Sequence, residues 1–300
     1  MLPLTAKERD SVRRNIFPES AVAALGRDDF PWHRDSAKQP TASLPESSQA
    51  LAIDLFGVLQ ALKEGSRIVH KWMSALALPT QGSWRSSLEY LVPRNLLGEP
   101  RSTQVDAVLE SESCVAFVEC KFTEPDGGSC SQTRALRPPS RNAGLVQCDG
   151  RYVSQINPVN GAEARCALTG KGVRYWERVP AVLGIRNDHD HDPCPFRDGE
   201  YQWMRNLIAC DAQSTTSGRS GSFLVVYADG PFPMATKVKA AEWSAFVSRT
   251  QGKAVPLRAV SYQHLLDVAV SAATPEDRGV LIRLGNWIDD KVSRVAARVT

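Results

Sequence analysis

Glu119 and Lys121 stand inside a run that otherwise reads as a buried strand, Cys114-Val115-Ala116-Phe117-Val118-Glu119-Cys120-Lys121-Phe122, and no other stretch restricts the fold as much. A second short apolar run, Gln104-Val105-Asp106-Ala107-Val108-Leu109-Glu110, precedes it. The polar residues from Glu110 to Ser113 are turn-like, so the pair predicts an antiparallel hairpin. Side chains alternate across a strand, which sets Glu119 and Lys121 on one face and Val118, Cys120 and Phe122 on the other. Charge in a buried strand is costly unless compensated. An acid and a lysine side by side, with Asp106 on the neighbouring strand, imply a compensating partner, and a divalent metal ion is the obvious one.

The arrangement resembles the PD-(D/E)XK nuclease superfamily, in which an Asp on one strand and a Glu-x-Lys on the next form the catalytic centre. Here the Asp is Asp106 and the Glu-x-Lys is Glu119-Cys120-Lys121, with Val105 where a proline often precedes the Asp. The blocks Ser47-Ser48-Gln49-Ala50-Leu51, Lys121-Phe122-Thr123-Glu124-Pro125, Val173-Arg174-Tyr175-Trp176, Cys194-Pro195-Phe196 and Tyr201-Gln202-Trp203-Met204-Arg205-Asn206 look like a bacterial group of restriction endonucleases in that superfamily. The resemblance implies an α/β fold with an α-β-β-β-α-β core, a long irregular insertion and C-terminal helices. It implies a Mg²⁺-dependent DNA endonuclease of restriction or defence, with Asp106, Glu119 and the backbone carbonyl of Cys120 as metal ligands. Lys121 would orient the attacking water and stabilise developing charge. A repair or RNA-directed nuclease with the same site, and a DNA-binding protein that cleaves nothing, stay open. A partner methyltransferase and a homodimer stay open too. An isolated Glu-x-Lys usually marks a solvated salt-bridging face; the apolar strand around this one sets it apart.

The 300 residues are 42% hydrophobic and 23% charged, enough to bury a core. Lys plus Arg (36) barely exceeds Asp plus Glu (33), so any basic groove must be local. No run approaches the roughly eighteen apolar residues of a membrane span, and the first residues are charged where a signal peptide needs an apolar core. A cytoplasmic protein without a membrane partner is expected, its seven cysteines thiols or metal ligands rather than disulfides.

Residues 1–46 show little periodicity and read as an irregular arm with one short helix near Thr5 to Asn15, from which little chemistry is expected. Residues 47–300 read as the nuclease domain. It opens with a buried helix from Ser47, the capping residue, to Lys63. Asp54 shares its apolar stripe with Leu51, Leu55, Val58 and Leu62, either as a third metal-site carboxylate or as a partner in a local backbone hydrogen bond. A second helix, Arg67 to Leu76, leads to a strand from Ser87 to Val92, ending at Pro93. Its Glu89 is a rival third carboxylate, weighed against a solvated outer-strand position.

Residues 123–199 form the insertion, in which only Val173 to Trp176 hints at regular structure. Arg134, Arg137, Arg141, Arg151, Arg165 and Lys171, interleaved with Tyr152, Tyr175 and Trp176, suit a DNA-gripping segment or an ordinary polar surface. Glu200 to Cys210 reads as a helix in which Gln202 and Arg205 share a face, either holding a phosphate or the attacking water or merely capping and salt-bridging. Ser222 to Asp229 reads as a buried strand, followed by a helix (Lys237 to Arg249), a strand (Ala254 to Ser261) and a helix (Tyr262 to Ala272). Thr274-Pro275-Glu276-Asp277 starts a final helix whose stripe of Leu281, Leu284, Ile288, Val292 and Val295 is expected to cover the sheet.

Cys130, Cys148, Cys166 and Cys194 all lie in the insertion, which has few apolar residues. No Cys-x-x-Cys occurs among them, so four unrelated thiols are the plain reading. The alternative is a structural Zn²⁺ or iron–sulfur site that orders the insertion, with His189 and His191 as further ligands. Some superfamily members carry a cysteine-bound iron–sulfur cluster beside the nuclease site, with different cysteine placement. Cys114 and Cys120 read as small buried hydrophobes, and Cys210 lies near a helix end.

Overall fold

The apolar hairpin becomes the middle of a five-stranded sheet in the computed structural model of the chain, which describes residues 3–299. The elements in chain order are α1 (Ala6–Arg13), α2 (Val22–Leu25), α3 (Ser48–Gly57), α4 (Gly65–Ala75), β1 (Arg85–Leu91), β2 (Gln104–Glu110), β3 (Cys114–Lys121), β4 (Gln155–Ile156), β5 (Glu163–Ala164), α5 (Tyr175–Leu183), α6 (Tyr201–Ser217), β6 (Ser220–Tyr227), α7 (Pro233–Lys237), α8 (Ala241–Ser248), β7 (Leu257–Ser261), α9 (Tyr262–Ala272) and α10 (Pro275–Val299). The strand order is β1-β2-β3-β6-β7. β1, β2 and β3 pair antiparallel, whereas β3 with β6 and β6 with β7 pair parallel. β3 is buried along its whole length, as a strand covered on both faces must be.

The alternation along β3 and β6 divides the interior in two. Ala116, Val118, Cys120, Leu224 and Val226 join the side chains of α3, α4, α9 and α10, while Val115, Phe117, Phe223 and Val225 join those of α5, α6 and α8. Ser47 caps α3, its Oγ accepting the amide of Ala50 at 3.1 Å. Thr274 caps α10 through the amide of Asp277 at 3.4 Å. The α10 stripe of Leu281, Leu284, Ile288, Val292 and Val295 is buried as expected, each fully buried Leu or Ile contributing about 1.5–3 kcal/mol. It packs mainly on α9 and α3, so it forms an outer layer over those helices rather than directly over the sheet.

Three stretches differ from the sequence reading. Residues 3–46 contain the expected short helix α1, but Val12, Ile16, Phe17, Phe30 and Trp32 are buried in the main core, and the segment is bound in rather than loose. The insertion contains the helix α5, whose internal Pro180 hides it from a propensity reading, and the small β4–β5 hairpin. Tyr152, Tyr175, Trp176, Val179 and Phe196 give the insertion apolar anchors in the second core, so it is not short of them. The helix expected from Lys237 to Arg249 forms only over α8, from Ala241 to Ser248, and a separate short helix, α7, ends at Lys237. No described helix is long and apolar enough to cross a membrane.

Candidate active site

Three acids occupy one row across three strands. The register Leu88↔Ala107 and Tyr90↔Val105 sets Glu89 of β1 opposite Asp106 of β2. One step beyond Ala107↔Val118 sets Asp106 opposite Glu119 of β3. All three are buried. Glu89 adopts a left-handed φ of 53°, which interrupts the β1–β2 ladder and costs a non-glycine residue about 1–3 kcal/mol. Asp106 and Glu119 of the row lie on the floor of a cleft of about 300 Å³, lined also by Lys121, Glu124, Gln202 and Arg205 among others, whereas Glu89 lies behind Gln104 and His33 and does not line it.

The Asp106 Oδ2 accepts the amide of Cys120 at 2.6 Å, taking a donor from the strand that carries Glu119 and Lys121. The Lys121 Nζ donates to Glu119 Oε1 at 3.1 Å and to Gln202 Oε1 at 2.8 Å. The amide nitrogen of Gln202 donates to the same Glu119 oxygen. Asn206, one turn further along α6, donates to Glu119 Oε2 at 2.8 Å. Side chains four apart on a helix share a face, which is why α6 delivers both amides to one carboxylate. The start of α6 is tied to the chain leaving β3 through Gln202 N to Gly127 O at 2.8 Å. Gly127 is required for that approach, because a Cβ there would lie 2.6 Å from the Trp203 ring.

The charges explain one another. Burial, then the neighbouring charges of Glu119 and Glu89, raise the Asp106 carboxyl well above its ordinary range, with the Cys120 amide and His33 opposing. Burial alone would lower the Lys121 ammonium, but Glu119, Glu124 and Asp106 outweigh it and hold the group above its usual value. Lys121 is therefore a firmly protonated cation. Two acids face each other with Lys121 bonded to Glu119, whereas Asp106 has no ion pair among the described residues and is offset only by the Cys120 amide and the charge of His33.

Residues 4–277 match the family described as "Restriction Endonuclease associating with ARP". The chain belongs to that family. No curated protein and no solved structure matches it. The family match spans the sheet, the acid row and α6, and most of α10 falls beyond it.

Within this restriction-endonuclease family member, Glu89 is engaged elsewhere: its Oε1 accepts from Gln49 at 2.6 Å and its Oε2 from Gln104, with His33 Nε2 at 3.3 Å. Burial would lower His33, yet the bond to Glu89 and the charges of Glu89, Asp106 and Glu119 raise it to about 9. Solvent reaches nearly half the ring and weakens that pull. His33 comes from the lead-in segment in which little chemistry was expected. His33 and Gln104 carried no motif that the sequence could offer, whereas Asn206 stood at a readable four-residue spacing from Gln202. Among the described residues, no group of three or more His, Cys, Asp and Glu side chains is arranged to hold a metal ion.

Arg205 lines the same cleft and pairs with no carboxylate among the described residues. Its Nε is buried without a hydrogen-bond partner, and its guanidinium lies 6.0 Å from the Tyr201 ring. Asp54 lies elsewhere: it is fully buried and accepts Lys291 Nζ at 2.5 Å, Trp287 Nε1 at 3.1 Å and the Phe17 amide at 2.6 Å. It is thus neither a site carboxylate nor a merely local acceptor. The aromatic residues expected to grip DNA are buried, Tyr152 stacking on Trp176 with centroids 3.6 Å apart. Arg151 and Arg165 pair with Asp149 and Asp190, Lys171 bonds to Gln132 and Gln147, and Arg134 bonds to Ser129. Arg137 and Arg141 are exposed and pair with no carboxylate among the described residues. Cys130, Cys148, Cys166 and Cys194 line one cavity together, and burial pushes Cys130 up to about 12 and Cys194 up to about 11.

Proposed function

We propose that this chain is a Mg²⁺-dependent endonuclease of the PD-(D/E)XK superfamily that hydrolyses phosphodiester bonds in DNA, in restriction or a related defence. One observation carries the reading: Asp106, Glu119 and Lys121 are buried together on adjacent strands at the floor of a cleft, with Gln202 and Asn206 fixing the glutamate. The order α3, antiparallel β1–β2–β3, α6 and parallel β6 agrees with the α-β-β-β-α-β core. The family description supports both nuclease chemistry and a restriction role, and restriction implies a companion methyltransferase that protects host DNA.

Two buried carboxylates that share a single lysine fit a divalent cation. Asp106, Glu119 and the main-chain carbonyl of Cys120 are hard oxygen donors, the kind that Mg²⁺ takes in small number while keeping several waters. Such an ion, when bound, neutralises phosphate charge and makes water a better nucleophile. Lys121, held protonated, serves as a donor rather than a base, and stabilises charge as it develops on the phosphate oxygens. Gln202 accepts from that ammonium and donates to Glu119, so it fixes both groups in one orientation. Arg205 presents an unpaired guanidinium fork suited to a phosphate. The exposed Arg137 and Arg141 extend the reach to the DNA backbone.

Supercoiled plasmid incubated with the protein in Mg²⁺ or in EDTA tests this. Nicking by the parent in Mg²⁺, none in EDTA and none by Glu119→Gln is the expected pattern. Plasmid that stays intact in Mg²⁺ while still being bound leaves a non-catalytic DNA-binding protein, and preferential cleavage of RNA reassigns the substrate.

A further inference from the structure

The insertion folds so that Cys130, Cys148, Cys166 and Cys194, spread over the segment from 130 to 194, line a single cavity. All four are free thiols. The turns that carry three of them are cross-tied by backbone hydrogen bonds: Cys148 N to Gln132 O at 3.0 Å, Cys194 N to Gly150 O at 2.9 Å and Cys130 N to Arg197 O at 3.0 Å. In each of these turns the amide two residues on, of Gln132, Gly150 or Phe196, points back at the cysteine sulfur. The Gly150 amide reaches Cys148 Sγ at 3.4 Å. Each amide opposes the burial that raises these thiols, and it is placed to donate to a sulfur that ligates a metal. Gly150 has a φ of 86°, and a Cβ there would lie 2.5 Å from Arg197, so the turn calls for glycine.

The cavity has no obvious natural filling. About 440 Å³ between the lining atoms is empty, its mouth included, and about 30 Å³ of that admits water centres. The walls combine the thiols with aromatic side chains such as Trp176, Phe196 and Tyr201, which offer few of the two to four polar partners that a buried water needs. A single tetrahedral zinc at about 2.3 Å from each sulfur would draw four thiolates to one point. The described side chains form no such single-ion arrangement. The thiols surround a space instead, which suits a centre of several atoms. The two neighbouring histidines are not needed as ligands: His191 stacks on Trp176 and its Nε2 lies 2.7 Å from Arg186 O, while His189 pairs with Asp188.

We infer that the four cysteines bind an iron–sulfur cluster. Each thiol gives up its proton as its sulfur takes an iron, and the fully cysteine-held set matches the ligation of both two-iron and four-iron clusters. Tyr201 and Met204 of α6 also line the cavity, adjacent in sequence to Gln202 and Arg205. The cluster would thus brace the helix that forms one wall of the cleft.

The test is iron and acid-labile sulfide content, with the visible absorption that dithionite bleaches, measured on the whole chain purified without oxygen. Iron and sulfide near equal amounts are expected, with both falling by roughly tenfold or more in Cys166→Ser and Cys194→Ser. Cys210→Ser should retain them, because Cys210 lies outside the ring and donates to Ser222 O at 3.2 Å. Content measured on the parent decides the matter even if a ring variant fails to fold. Zinc in place of iron, no metal at all, or iron retained in folded Cys166→Ser and Cys194→Ser protein overturns the assignment.

Discussion

Asp106→Asn separates what the acid row does for catalysis from what it does to stability. Asparagine keeps the shape of the side chain and the carbonyl oxygen that accepts the Cys120 amide at 2.6 Å, so the local hydrogen bond survives. It removes a buried charge repelled by Glu119 and Glu89. Relief of a buried charge that has no ion pair is worth about 1–3 kcal/mol. At about 2 cal/mol/K of unfolding entropy per residue, that raises the melting temperature by roughly 2–5 °C. The folded-state value of Asp106 lies above the ordinary 3.8, so the folded chain holds this proton more tightly than the unfolded one. The penalty in the parent is therefore absent below about 3.8, grows as pH rises past it, and is complete only above the folded-state value. Thermal unfolding in EDTA from acid to neutral pH should show the two proteins converging in acid, with the variant the more stable near neutrality. Adding Mg²⁺ should stabilise the parent, by about 2.7 kcal/mol at one hundred times its dissociation constant, and leave the variant unmoved. The reasoning fails if the variant melts below the parent at neutral pH in EDTA, or if Mg²⁺ stabilises both equally.

Lys121→Ala should lower cleavage by roughly 100- to 1000-fold. It should also cost about 3–5 kcal/mol by stranding the buried Glu119, a loss that chemical denaturation would register and that a purely transition-state role would not produce. For Asn206→Ala, loss of one donor to Glu119 predicts a roughly 10- to 100-fold fall in cleavage rate with DNA affinity unchanged, read by nicking and by gel shift. Arg205→Ala should reduce the salt dependence of DNA binding by about one counterion, and an unaltered slope would make the residue a helix-surface charge only. Asp54→Asn should destabilise by about 3–5 kcal/mol because Lys291 is then buried without its counter-charge, with much of that restored in the double variant Asp54→Asn, Lys291→Met.

The central hairpin was readable because its pattern is local: alternating side chains, β-branched residues and a turn lie within a few positions of one another. The helix over 262–272 was readable for the same reason. Asp54 was ambiguous because its partner lies 237 residues away, beyond any local periodicity. The helix α5 was hidden by Pro180, a residue tolerated there by packing that a propensity reading does not see. The arginine and aromatic interleaving of the insertion suggested a DNA grip, but its aromatic half is core. Sequence order shows composition and spacing, not which residues turn inward. His33 illustrates the same limit from the other side, since only the folding of the lead-in segment carries it to Glu89.

The buried contact between Asp54 and Lys291 also orders events in time. Asp54 lies on α3, which also bears Ser48 and Gln49, and their side chains reach Glu124 of the cleft and Glu89 beside Asp106. A carboxylate sealed inside α3 without its cation is a heavy local cost, so α3 has no settled seat until the chain has been extended through residue 291. Closing a loop of that span is also slow. On a chain emerging from the ribosome, the residues of the acid row are made well before Lys291, and their surroundings lock into place only after it has followed. Partly synthesised chains should therefore hold these groups without holding them in register.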